Sequence, residues 1–315
     1  MRRLLTLCFL ISLALPASAA KLPSYIANAK TIAFFGDSIT NDGRYISIIE
    51  YHLRRQGVKK LPLMVNLGLP SETCSGLSEP DHPFPRPNVH ERLERALGKL
   101  KPDVVVACYG MNDGIYYPFS KKRFAAFKNG VQQIVAKVKK TRAKLVLMTP
   151  PAFDPLPMKR KGKLRPKDAK KFAWFGIYEN YDDVMAKYAG YVKSVMKPFA
   201  DDVIDLHAPV NRYLQLKRKA NPNYVMSGDG VHINLDGHKV LANAIMKKWG
   251  MTPRKEYDQK MFKLVLQRQA ILHAAWLSHV GHKRPGVKAG LPIAKAKSRA
   301  AQLEKKIQER LGELE

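Results

Sequence analysis

Five short apolar runs, separated by stretches of helical periodicity, constrain this chain more than any other feature. They are Thr31–Phe35, Leu61–Val65, Asp103–Cys108, Lys144–Met148 and Asp202–Leu206. Runs this short without polar alternation read as strands buried on both faces. The clearest helical stretch begins after Ser120, a candidate N-cap. Its stripe is Phe124, Phe127, Val131, Ile134, Val135 and Val138. Doubly buried strands alternating with such helices specify an α/β fold whose parallel sheet is covered on each side. Ligands of such sheets bind at the carboxyl ends of the strands.

The chain start has a different character. Met1-Arg2-Arg3 is basic, Leu4–Leu15 is apolar but short for a bilayer span, and Ala17-Ser18-Ala19-Ala20 offers small residues for cleavage. Those are the parts of a secretory signal peptide cleaved near Ala19-Ala20. Arg2-Arg3 also fits a twin-arginine signal, although ordinary basic-start charge is the simpler reading. No Cys follows the small residues to take a lipid anchor. The expectation is a secreted or periplasmic protein with no transmembrane segment in the mature chain. Three Cys in 315 residues exclude a disulfide-built scaffold. Cleavage removes Cys8, and Cys74 and Cys108 then either pair or serve as small buried hydrophobes.

Charge narrows the partners. Lys and Arg number 55 against 26 Asp and Glu, a formal net charge of +29. Loss of Arg2 and Arg3 with the leader leaves +27. Such a balance attracts polyanions. The chain shows no RNA-binding aromatic signature, and an exported protein does not meet chromosomal DNA. The expected partners are therefore an acidic polysaccharide or another anionic polymer, not nucleic acid. Met158–Lys171 holds eight basic residues against Asp168 alone and reads as an exposed, solvated insertion. Trp174 and Phe175 follow it directly, a mixture suited to a sugar, although such aromatics more often complete a core. Glu79–Pro87, with Pro80, Pro83, Pro85 and Pro87, must be loop. Beyond Met251 the pattern is helical only. One stripe includes Phe262, Val265 and Leu272, and another, after the turn-rich Gly281–Pro292, includes Ala296, Ala300 and Ile307. The expected organisation is a leader at 1–20, a catalytic unit at 21–250 and a basic helical extension at 251–315.

Chemistry gathers at the strand ends. Gly36-Asp37-Ser38-Ile39-Thr40 places Ser38 just beyond the first strand. Asp229-Gly230-Val231-His232 sets a carboxylate three residues before an imidazole. That spacing lets it accept from one ring nitrogen and leave the other as a base. Asn66-Leu67-Gly68 ends the second strand and Tyr109-Gly110-Met111-Asn112-Asp113 the third. The Ser38 N–H, the Gly68 N–H and the Asn112 side chain make three candidate donors to a developing oxyanion. Asp37 and Asp113 read as loop-holding carboxylates and His238 as structural. The remaining histidines lack metal-ligand spacing, and neither Cys-x-x-Cys nor His-Glu-x-x-His occurs, so neither metal nor cofactor is expected.

Taken in order, Ser38, Gly68, Asn112 and His232 resemble the four residues that name the SGNH hydrolases, also called GDSL esterases or lipases. The resemblance covers roughly Lys30 to Trp249 and rests on the Gly-Asp-Ser, Gly, Gly-x-Asn-Asp and Asp-x-x-His blocks. The first block reads Gly-Asp-Ser-Ile here, a variation that the family tolerates. The resemblance implies a flavodoxin-like, three-layer α/β/α sandwich with a five-stranded parallel sheet. It also implies metal-free ester hydrolysis, with Ser38 as nucleophile, His232 as general base and then acid, and Asp229 orienting the imidazole. Gly-x-Ser-x-Gly is absent, which argues against the α/β-hydrolase nucleophile elbow. The substrate expectation is a short acyl ester, an O-acetyl group on carbohydrate. A lipase, lysophospholipase or thioesterase of the same family, or a non-catalytic cationic glycan-binding module, stands as the alternative.

Overall fold

The computed structural model describes residues 22–58, 60–254 and 256–314. The leader reading of Met1–Ala20 lies outside the described residues. Each expected apolar run forms a strand: β1 (Thr31–Gly36), β2 (Leu63–Asn66), β3 (Val104–Cys108), β4 (Lys144–Met148) and β5 (Asp202–Ile204). β2 starts later than its apolar run because Pro62 has no N–H, so Leu63 makes the first ladder bond, to Lys30 O at 2.8 Å. β5 stops short of Leu206, whose N–H turns to Thr149 Oγ1 at 2.8 Å. The five strands pair in parallel in the order β2-β1-β3-β4-β5. From Ile32 to Phe35 and from Val104 to Ala107 the side chains are buried, as strands covered on both faces require.

The longer helices are α1 (Arg44–Arg55), α2 (Leu93–Leu100), α3 (Lys121–Lys139), α4 (Tyr181–Gly190), α5 (His207–Ala220), α6 (Leu235–Lys248), α7 (Gln259–Val280) and α8 (Ile293–Gly312). Right-handed crossovers put α1 on one face of the sheet and α2, α3 and α4 on the other. α6 returns to pack on α1. Ser120 caps α3, its Oγ accepting from Arg123 N–H. The apolar stripe of α3 meets α4 through Phe127 and Tyr188, stacked with centroids 4.4 Å apart.

Residues beyond 251 are built into the same core. α7 lies on α1 and along β2, with α8 on its outer side. Val265, Leu272, Trp276, Ala300 and Ile307 are buried in one cluster with Ile49 and Val65. Covering β2 protects an edge strand that would otherwise present unpaired backbone groups. His273 Nδ1 bonds Asn66 O at 2.9 Å, and Gln269 Nε2 donates to Met64 O at 3.3 Å and to Glu50. Charged groups lock the arrangement. Buried Arg54 donates to Glu50 at 2.6 Å and to Glu304 at 2.6 and 2.8 Å, and Arg268 bridges the same two carboxylates. No helix among the described residues is long and apolar enough to cross a membrane.

Removing one member of a buried ionic cluster strands the rest. Glu50→Gln is therefore expected to cost about 3–5 kcal/mol. The readout is a lower urea midpoint at unchanged slope, and an unshifted midpoint would show that the cluster does not hold the C-terminal helices.

Candidate active site

The serine is presented by a strand-to-helix turn. β1 ends at Gly36, and Asp37 caps the short helix Ser38–Asp42, its Oδ1 accepting from Ile39 N–H at 2.9 Å. Ser38 is the first helical residue, where the helix itself supplies no acceptor for the N–H. Burial pushes the Asp37 carboxyl up to about 7, and the Ile39 N–H only partly offsets it. A second tie fixes the same turn. Asn66 Nδ2 donates to Thr40 O at 2.7 Å, and Asn66 Oδ1 accepts the Gly68 N–H at 2.8 Å.

The imidazole arrives from the loop between α5 and α6. Asp229 Oδ1 accepts from Val231 N–H at 2.9 Å, His232 N–H at 2.8 Å and Ser227 Oγ at 2.9 Å. Its Oδ2 lies 2.6 Å from His232 Nδ1, and His232 Nε2 lies 2.8 Å from Ser38 Oγ. A carboxylate accepts only, so Nδ1 carries the proton and Nε2 is free to accept from the serine. Gly230 makes the loop possible. Its φ of +80° favours glycine, and a Cβ there would collide with the Asp154 carbonyl oxygen. Gly230 O in turn accepts Asp154 N–H at 3.0 Å, which clamps the loop to the segment that follows β4.

The electrostatics follow from this chain of bonds. The hydrogen bond to Asp229 outweighs desolvation and raises the His232 pKa above its ordinary 6.5. Burial pushes Asp229 up, but the His232 side chain and the backbone N–H groups of His232 and Val231 outweigh it and hold the carboxyl below its usual range.

Asn112 and Gly68, the other two expected site residues, part company. Asn112 lines the cleft with Ser38 and His232. Its Oδ1 accepts from Tyr116 OH at 2.9 Å, and its Nδ2 donates to Glu72 O at 3.2 Å, which leaves the second amide hydrogen unassigned. Gly68 lies elsewhere. Its N–H is taken by Asn66 Oδ1, and it sits so close beneath Thr40–Asn41 that a Cβ would strike their backbone. The residues of that loop that do reach the cleft are Pro70 and Ser71, the latter in the left-handed region at φ +66°. Its residue type gives no sign of the positive φ, so a pattern of glycines at strand ends does not include it.

Buried carboxylates hold the Ser71 loop. Glu72 pairs with Arg92 at 2.6 Å and accepts from Tyr109 OH at 2.7 Å, and Arg92 also donates to Leu67 O at 2.6 Å. Asp113 Oδ1 accepts the N–H groups of Cys74 and Ser75 at 2.9 and 2.8 Å. Glu79 and Arg86, both buried, staple the proline-rich loop at 2.6 and 2.7 Å. Cys74 and Cys108 are free and buried. His238 is buried too, 3.0 Å from Asp42 and stacked on Tyr45. Trp174 and Phe175 depart from the core role set out above and stand exposed. Among the described residues no three His, Cys, Asp or Glu side chains gather as a metal site needs.

Residues 34–240 match the model of the GDSL-like Lipase/Acylhydrolase family. The fold is similar to that of Axe2, an acetylxylan esterase from Geobacillus stearothermophilus. That likeness has a TM-score of 0.53 at 21% identity, over 74% of this chain and 100% of that one. It is also similar to a gut microbial diltiazem-metabolizing enzyme, with a TM-score of 0.56 at 21% identity, over 70% of this chain. The match spans 47% of that enzyme. No curated protein matches the chain.

Asp229 favours the imidazolium, so its removal must lower the His232 pKa. In an NMR titration His232 is expected to titrate above 6.5 in the wild type and lower in Asp229→Asn. Equal midpoints would mean that the 2.6 Å contact carries no charge coupling.

Proposed function

The chain belongs to the GDSL-like lipase/acylhydrolase family, and we propose that it is an exported serine ester hydrolase working through an acyl-serine intermediate. The observation that carries this reading is the unbroken line from Asp229 Oδ2 through both nitrogens of His232 to Ser38 Oγ, at 2.6 and 2.8 Å. In this scheme the Ser38 proton passes to Nε2 as Oγ attacks the ester carbonyl. Asp229 holds Nδ1–H and steadies the imidazolium. The oxyanion takes hydrogen bonds from the Ser38 N–H, the free hydrogen of Asn112 Nδ2 and the Ser71 N–H, the last in place of Gly68. His232 then gives its proton to the departing alcohol. A water molecule, deprotonated by the same nitrogen, attacks the acyl-serine, and collapse of the second tetrahedral species frees the acid and restores Ser38.

The proposed substrates are short acyl esters of carbohydrate, O-acetyl groups above all. The likeness in fold to an acetylxylan esterase favours that reading, as does the exposed indole of Trp174 at the cleft. Export rests on the residue pattern of Met1–Ala20, and attraction to an anionic polymer on the net charge.

Hydrolysis of nitrophenyl acetate tests the mechanism. Ser38→Ala is expected to lower kcat roughly 10⁴-fold, and Asn112→Ala on the order of 10²–10³-fold, in proteins that keep their thermal transition. A Ser38→Ala protein at wild-type rate would overturn the mechanism. His232 acts as base only when neutral, so kcat/KM should fall as pH drops, with its midpoint above 6.5. A profile flat from about pH 5 to 9 would exclude His232 as the base.

A further inference from the structure

Part of the cleft wall has no task in bond breaking. Trp174 and Phe175 occupy the central positions of a tight turn closed by reciprocal backbone hydrogen bonds between Ala173 and Gly176, at 3.0 and 2.9 Å. Trp174 is 52% exposed, yet it lines the cleft that holds Ser38, Asn112 and His232. An indole held out by a closed turn, half exposed and lining the same cleft as Ser38, offers an apolar platform to a sugar ring.

Arg284 lines the same cleft and comes from the segment between α7 and α8. Its Nε donates to Pro70 O at 2.9 Å and its Nη1 to Pro285 O at 2.7 Å, while the guanidinium lies 5.0 Å over the Phe84 ring. These contacts fix the side chain without neutralising it. On the side of Ser38 and His232 where Arg284 lies, no Asp or Glu among the described residues lines the cleft, while Asp42 lines the opposite side and is paired with Arg44 and His238. The other guanidinium there, Arg86, is already spent on Glu79 through two bonds. Arg284 is thus a half-buried, rigidly held cation without a carboxylate of its own, and Nη2 is not among the atoms its backbone contacts occupy. Partial burial makes such a charge costly unless a ligand brings the anion. A planar guanidinium suits the two oxygens of a carboxylate better than an ammonium would.

We infer that the alcohol portion of the substrate is a sugar bearing a carboxylate on or beside the acylated ring, with Arg284 holding the carboxylate and Trp174 the ring. This rests on the esterase reading and adds the charge that the substrate must carry. It also gives the C-terminal segment a place in the site, since α7, fixed along β2, leads into the segment that carries Arg284 to the cleft.

The test compares kcat/KM for acetate release from two substrates with the same ester and ring: a mono-O-acetylated methyl glucuronoside and the matching glucuronamide, whose carboxylate is replaced by a neutral amide. The full chain is used as wild type, R284Q, W174A and K283Q, each checked for its thermal transition. Lys283 is an exposed neighbouring cation outside the cleft lining. The wild type is expected to favour the acid by roughly tenfold to a hundredfold, the worth of a hydrogen bond to a charged group. R284Q should erase that preference mainly through KM. W174A should lower kcat/KM on both sugars alike, and K283Q should keep the preference. Equal rates on the two sugars, a preference that survives in R284Q, or one lost as fully in K283Q would overturn the assignment. Turnover of nitrophenyl acetate with neither sugar accepted would overturn it while leaving the esterase intact. No turnover of any of the three esters would remove the esterase reading and this inference with it.

Discussion

Between β1 and β3 the order of the sheet reverses: the chain leaves β1 toward β2 on one side, and leaves β3 toward β4 on the other. Connections that diverge from neighbouring strands leave a crevice at their carboxyl ends, because nothing crosses over it. Every group of the candidate site depends on that opening. Ser38 follows β1, Asn112 follows β3 and Ser71 lies on the loop after β2. The loop bearing Asp229 and His232 comes last and is pinned to the segment that follows β4. The crevice sets where a substrate can sit, and the loops decide what it meets there.

Those loops are held by buried charge. The Glu72–Arg92 pair ties the Ser71 loop to the start of α2, with Tyr109 at the end of β3 as a third partner. Glu79 and Arg86 close the proline-rich loop. Buried pairs of this kind contribute little net stability compared with apolar residues of equal size, yet losing one partner costs several kcal/mol. They therefore resist local rearrangement more than they add to overall stability. That suits a site whose donors must already point where negative charge will develop. The Glu50–Arg54–Glu304–Arg268 cluster does for α7 and α8 what Glu72 does for the Ser71 loop.

The sheet was readable because burial on both faces leaves a sequence trace in uninterrupted apolar runs, and the Asp229–His232 pair because its geometry is local. Other features left a fainter trace. Gly68 matched the residue type expected of an oxyanion donor, but its N–H is claimed by the Asn66 side chain two residues earlier, a local turn that competes with the donor role. Ser71 adopts a backbone conformation that usually signals glycine, so its residue type conceals it. Aromatic content at Trp174 and Phe175 pointed inward, whereas the Ala173–Gly176 turn directs both outward. The helices beyond 251 were legible as helices. Their seat along β2 was not, because it depends on partners more than two hundred residues apart, such as Gln269 with Met64 and His273 with Asn66.

The central claim, that Ser38 is a nucleophile activated through His232, is tested most directly by intact mass after exposure to a fluorophosphonate, which traps activated serines. One adduct per chain, mapped to Ser38 and lost in His232→Ala, is the result that this account predicts. A folded protein left unlabelled, or labelled at another serine, would contradict it.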